Sequence, residues 1–273
     1  MTSDALPRTH SKSAPPSSRR LRLDSRRVAP FVTLSALAIL WWLSAHLGWV
    51  DTVFLPAPEQ LLVALQGLLQ DGYLDATLWQ HLGTSLWRVL VAVLAAVLTA
   101  IPLGIAMGLN PTLNAALDPL VEFYRPIPPL AYLPLMVIWF GIGELSKVLL
   151  IYLALFAPLL IATVGGVRRV DKARIQAIRC LGANRLQVVR HVILPSALPD
   201  ILTGLRIALG VGWSTLVASE LIAANQGLGF MVQSAAQFLA TDVVVVGILL
   251  IASIALSFEL GLRALQRRFA SWN

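Results

Sequence analysis

Residues able to do covalent chemistry are few in this sequence, and they lie far apart. Its four histidines, His10, His46, His81 and His191, fall in four separate segments. No HExxH sets two of them on one helical face around a zinc ion, and no GxSxG presents a serine nucleophile. The single cysteine, Cys180, excludes an intrachain disulfide and offers no thiolate cluster for a metal. Residues 141–147, GIGELSK, hold glycines and a lysine, but not at the spacing of a phosphate-binding loop. The expectation is a protein that is no enzyme, with no catalytic residue, cofactor or metal. Any energy source has to be another chain.

What remains is a set of lone charges in apolar surroundings: Arg88, Arg206, Glu220 and Glu259. A charge at the centre of a membrane helix costs roughly 2.5–3.5 kcal/mol on insertion scales. A long side chain near a helix end escapes most of that by reaching the interface. Arg88 and Arg206 are therefore expected to be interface anchors. Glu220 stays open between a packed and a path-facing role.

Two stretches break the apolar pattern. Arg125 to Pro134, RPIPPLAYLP, carries Pro126, Pro128, Pro129 and Pro134, and each proline removes a backbone donor and crowds the preceding turn. Glu220 to Phe230, ELIAANQGLGF, places Gly227 and Gly229 where a turn or a close approach is wanted. Irregular backbone at membrane depth survives only when buried in protein or facing a watery cavity. Broken apolar segments point to a translocation path. Packing kinks and an ordinary loop are the competing readings. Arg125, Pro126, Pro128, Pro129, Pro134, Glu220, Gly227 and Gly229 are the candidate path or gate residues.

The elements that must position these residues follow from composition. Of 273 residues, 57% are hydrophobic and 13% charged, about half the charge of a soluble domain. Mean hydropathy is +0.76. A span needs about 20 apolar residues. Six stretches qualify: 29–48, 86–109, 117–140, 147–166, 201–222 and 243–262. The runs are continuous rather than alternating, which favours helices over a barrel. The fold class expected is an all-α polytopic membrane protein with about six transmembrane helices.

Lysine and arginine set the orientation. Seven lie in the Ser-, Pro- and Arg-rich tail, seven between Arg168 and Arg190, and three at Arg263, Arg267 and Arg268. Arg125 and Arg206 join them, leaving Arg88 and Lys147 on the other side. Both termini are expected in the cytoplasm. This asymmetry accounts for a pI near 10.3 without nucleic acid as a partner. Ser18-Arg19-Arg20 resembles a twin-arginine export signal. The apolar stretch behind it is too long for one and lacks a small-residue cleavage site, so Val28 to Leu47 reads as an uncleaved helix. The expected layout is a disordered basic tail over 1–27, a first span and its exit over 28–56, and interfacial or periplasmic helices over 57–85. A core follows over 86–269, with a cytoplasmic segment at 168–199. In the third part, PEQLLVALQGLL puts Leu61, Leu62, Leu65, Leu68 and Leu69 on one face. A second short helix from about Asp75 leads into the span at 86.

The cytoplasmic segment reads as two short helices, Lys172–Leu181 and Arg185–Leu194, with Gly182 as a cap between them and Pro195 as a stop. A docking surface and a loop made basic only for topology are both open on these grounds. The residues Gln176, Ala177, Ile178, Gly182, Val192, Leu194 and Pro195 resemble the cytoplasmic signature of ATP-binding-cassette importer permeases. In that signature Glu-Ala-Ala is followed by Gly and then Ile-x-Leu-Pro. Gln, Ile and Val stand here for Glu, the second Ala and Ile. From about Asp75 to Phe269, ATLWQHLGTSLWRV, RPIPPLAYLPLMVIWFGIGE, GLRIALGVGWSTLVASELIAA and GLGFMVQSA are similar to permeases of the nitrate, sulfonate and taurine group.

The resemblance implies a type I importer permease of the bacterial inner membrane. It implies two copies of a cytoplasmic ATPase, a second permease copy, a periplasmic binding protein and surrounding lipid. The solute implied is taurine, with another aliphatic sulfonate or nitrate as alternatives. Coupling to the ATPase falls on Gln176, Ala177, Ile178, Leu181, Gly182, Ala183, Leu194 and Pro195. A passive channel or a membrane scaffold would need no such docking helix.

Overall fold

The computed structural model describes residues 25–269. The tail expected over 1–27 lies outside the described residues up to position 24. The chain divides into two units, 1–50 and 51–273. In the first, α1 spans Ser25–His46, close to the expected first span. Trp42 and His46, one turn apart, stack at 4.3 Å.

The second unit is helical. The order is α2 (Pro58–Gln70), α3 (Leu78–Leu109), α4 (Pro111–Tyr124), a 3₁₀ turn (Pro129–Tyr132), α5 (Leu133–Phe140), α6 (Glu144–Arg168) and α7 (Lys172–Cys180). Then come α8 (Arg185–Val188), a π segment (Val189–Ile193), α9 (Leu194–Ala223), α10 (Leu228–Gln237) and α11 (Thr241–Phe269). Among the described residues, four helical runs are long and apolar enough to cross a membrane: 78–109, 144–168, 185–221 and 241–268.

Local chemistry explains most boundaries. Thr77 Oγ1 accepts from Gln80 N while Gln80 Oε1 accepts from Thr77 N at 2.8 Å, a capping box that starts α3. The expected short helix at 75 and the span at 86 are thus one rod of 32 residues, roughly 48 Å long. Asn110 ends α3 and opens α4 by accepting from Thr112 N and Leu113 N. In α2, Leu61 and Leu68 are buried while Leu62 and Leu69 are exposed, because the helix packs on α11 with part of its leucine face.

Two expectations change. The stretch 117–140 is not one span: donor-less prolines at 126, 128 and 129 split it into α4, a 3₁₀ turn and α5. Nor does Pro195 stop a helix. Arg185 to Leu221 runs through as one rod. The wider π turns at 189–193 precede Pro195: Leu194 N bonds the Val189 carbonyl, and this loosened register accommodates the proline ring and its missing N–H.

The core is α3, α6 and α9. Ala92, Ala96 and Ala100 form a fully buried small-residue stripe on α3 that meets Ile151, Leu155 and Leu159 of α6. Close approaches at Gly104–Thr163 and Gly108–Val167 show α3 and α6 running in the same direction. Those at Gly204–Ala162 and Gly212–Leu155 show α9 running against them. A Cβ at Gly204 would lie 2.1 Å from that of Ala162. Gly204→Ala is therefore expected to destabilise the protein by about 1–3 kcal/mol. Thermal unfolding in detergent measures this, and an unchanged midpoint would contradict the packing.

Candidate functional site

The side chains of α3 at 81, 85 and 88 share one face, at helical spacing i, i+4, i+7. All three are buried, Arg88 at 1% exposure. Arg88 is thus not an interface anchor. Its Nε and Nη2 each donate to one oxygen of Glu144, both at 2.6 Å, in a bidentate pair with the start of α6. Its Nη1 donates to Glu220 Oε1 at 2.6 Å and to the Gln226 carbonyl at 2.8 Å.

Glu220 lies near the end of α9 and is wholly buried. Ser85 Oγ donates to its Oε1 at 2.8 Å and Gly229 N to its Oε2 at 2.8 Å. Ser85 Oγ also accepts from Leu228 N at 2.9 Å. Lys147 Nζ donates to Glu144 Oε1 at 3.0 Å. His81 Nδ1 lies 3.1 Å from the Gly227 carbonyl. Two acids and two bases balance, and the donors and acceptors that bind them are the protein's own. This meets the requirement for charges inside a membrane protein.

The two candidate glycines explain the closeness. Gly227 has φ +134°, and a Cβ there would fall 2.5 Å from the Glu220 carboxylate. One at Gly229 would fall 2.9 Å from the Val217 carbonyl. The break expected from Glu220 is shorter in the structure, since α9 continues to Ala223 and α10 begins at Leu228. Beside the cluster lies a cavity of about 550 Å³ walled by Trp87, Arg88, Glu144, Lys147 and Gln226.

The proline stretch does not join this cluster. Pro126, Pro128 and Pro134 are exposed and Pro129 is half-buried. Arg125 lines a different cavity, of about 510 Å³, between α6 and α9, with Arg169, Asp200 and Gly204. Arg169 and Asp200 pair there at 2.7 Å. Nearby, Arg206 of α9 pairs with Glu259 of α11, which also accepts from Arg263 at 2.8 Å.

At the far end of α6, α7 packs on the core through Ile175 and Ile178 and leaves its other residues exposed. Asp171 caps it by accepting from Ala173 N at 2.8 Å. Gly182 N donates to the Arg179 carbonyl and Ala183 N to the Ile178 carbonyl, with Gly182 at φ +84°. This is the helix-ending turn that glycine makes easily. Gln176 and Ala177 are exposed, Ile178 and Ala183 half-buried. Leu181 is 86% exposed and Leu186 74%. Ile178, Leu181, Gly182, Ala183, Gln187 and His191 line a cleft of about 260 Å³. Leu194 is exposed and Pro195 half-buried on the rod beyond.

Sequence reasoning did not single out Ser85, His81 or Glu144 and misread Arg88. The signal was available as three polar residues, HxxxSxxR, on one face of an apolar helix. It did not name its partners, which lie up to 146 residues away.

Residues 100–271 match the family described as binding-protein-dependent transport system inner membrane component. The chain is 60% identical over 261 residues to the taurine transport system permease TauC of Escherichia coli, covering 94% of this chain and 95% of that one. It is 40% identical over 247 residues to the putative aliphatic sulfonates permease SsuC of the same organism, covering 90% and 92%. Among solved structures, the MetNI methionine transporter in an inward-facing form matches with TM-score 0.57 at 20% identity, over 68% of this chain and 95% of that one. An amino acid transporter of the same class matches with TM-score 0.52 at 20% identity, over 76% and 95%.

Proposed function

The chain belongs to the inner-membrane permeases of ATP-binding-cassette importers, in the nitrate, sulfonate and taurine group, and from that premise we propose that it passes taurine across the membrane. The observation that carries the solute is likeness to a taurine permease along nearly the whole chain. The 40% likeness to a sulfonate permease keeps a longer alkanesulfonate as the second reading.

In this reading two copies of the permease pair, two ATPase subunits dock from the cytoplasm, and a periplasmic binding protein delivers the solute. Both termini face the cytoplasm, as the positions of lysine and arginine favour. The α7 segment then lies inside and the Arg88 cluster outside. Gln176, Ala177, Ile178, Leu181, Gly182 and Ala183 form the coupling surface, with Leu194 and Pro195 on the rod that carries it inward. The exposure of Leu181 supports this, since a docking helix needs an apolar anchor before its partner arrives. The proline stretch, with Arg125 at the α6–α9 cavity, borders the path between copies. Glu220, Gly227 and Gly229 frame the outer gate as part of the corner that Arg88 holds. ATP binding and hydrolysis rock the paired bundles between outward and inward states.

The test is ATPase activity of the reconstituted complex with its binding protein, comparing taurine, a longer alkanesulfonate and nitrate. Stimulation by taurine is expected. Stimulation by another solute alone keeps the mechanism and replaces the solute. Failure of any cassette ATPase to associate returns the channel and scaffold readings.

A further inference from the structure

We propose that Arg88 is a positioning residue of the transport cycle: it fastens the starts of α3 and α6 to the α9–α10 corner so that these parts move as one block. The proposal rests on the importer reading above.

The first ground is electrostatic. Arg88, at 1% exposure, reaches three elements at once: Glu144 on α6, Glu220 on α9 and the Gln226 carbonyl in the corner. Parting Arg88 from Glu220 would strand two buried charges, which is far costlier than keeping the pair intact, while Glu144, 55% exposed, is the looser partner. The second ground is steric. Gly227 and Gly229 lie so close to Glu220 that no Cβ fits between them, so the corner has no slack to slide. Leu228 N on Ser85 Oγ and the Gly227 carbonyl on His81 pin the same corner to α3 twice more.

The other end is built differently. Arg169, which pairs with Asp200, is mostly exposed, and the Arg206–Glu259–Arg263 group is a quarter to a half exposed. Water can replace those partners at little cost. Ion pairs at that end can exchange with water, while α6 and α9 still pack closely there at Gly204–Ala162 and Gly166–Ala197. That end is where α6 leads into α7, so motion delivered there would be carried through the packed helices to the Arg88 block.

Ser85 Oγ accepts from Leu228 N at 2.9 Å, so the two positions adjoin across the seam, and thiol titration establishes that the bond has formed before uptake is read. The test uses Ser85→Cys with Leu228→Cys, in a Cys180→Ser background, in the full importer complex in proteoliposomes. Equal ATP-driven taurine uptake in the oxidised and reduced states is the expected result. Loss of uptake on oxidation, restored by reductant, would show that the seam opens and would overturn the proposal. Should that pair fail to assemble, spin labels on Trp87→Cys and Asn225→Cys, both on the wall of the outer cavity, give a second reading. Their dipolar coupling is expected to be the same in the resting and ATP-trapped complex, and a shift between the two overturns the proposal. The unaltered complex is run alongside. Absence of uptake there defeats the importer reading, and this proposal falls with it for a separate, visible reason.

Discussion

Arg88→Met is expected to lower the unfolding free energy of the permease by about 3–5 kcal/mol, the range found when one partner of a buried ion pair is removed. Methionine matches much of the arginine volume, so packing is not the main loss. Among the described residues, Glu220 loses its only charged partner and keeps two neutral donors, Ser85 Oγ and Gly229 N. The Gln226 carbonyl loses its donor. Glu144 retains Lys147 and suffers less, since its side chain is 55% exposed. Arg88→Lys keeps the charge but cannot bridge Glu144 in two places while reaching Glu220, so an intermediate loss is expected. Arg88→Met with Glu220→Leu removes both charges, and part of the stability should return. Thermal unfolding in detergent, with the amount of membrane-inserted protein, measures all three. If Arg88→Met melts with the unaltered protein, the cluster does not hold the bundle.

Gly182→Glu is expected to abolish ATP-driven uptake while the protein still reaches the membrane. Nothing lies within 4 Å of a Cβ at Gly182, so the new side chain meets no atom of this chain. Its φ of +84° adds only about 1–2 kcal/mol of backbone strain. The bulk and charge project instead beside Leu181, onto the surface proposed to receive the ATPase. A disrupted hot spot there, at 2 kcal/mol or more, weakens docking by roughly thirtyfold. Gly182→Asn separates strain from bulk, because asparagine tolerates positive φ, and it should keep most uptake. Uptake assays with copurification of the ATPase decide the matter. Normal uptake by Gly182→Glu would remove Gly182 from the coupling surface.

The helices were legible in the sequence because the membrane imposes a strong local rule. A run of about 20 apolar residues has few other ways to satisfy its backbone. The same locality made the α7 turn readable, since Asp171 and Gly182 act on residues within a few positions of themselves. Prolines were harder. At 126, 128 and 129 they end a helix as expected, yet at 195 one is absorbed. The difference is the π segment just before it, a backbone register that no residue type announces.

Lysine and arginine positions, apolar runs and the Gly182 turn were enough to read an all-α membrane chain with a basic, glycine-capped helical segment. Each of those signals is carried by neighbours in the sequence or by the contrast between lipid and water. The meaning of Arg88 and Glu220 was not readable in that way. As isolated charges on separate helices, each looks either like an anchor at the interface or like a group facing a path. Folding brings Arg88 to Glu220 across 132 positions and to Glu144 across 56. A buried charge is stable only with its partner, and which partner arrives is set by how α3, α6 and α9 pack.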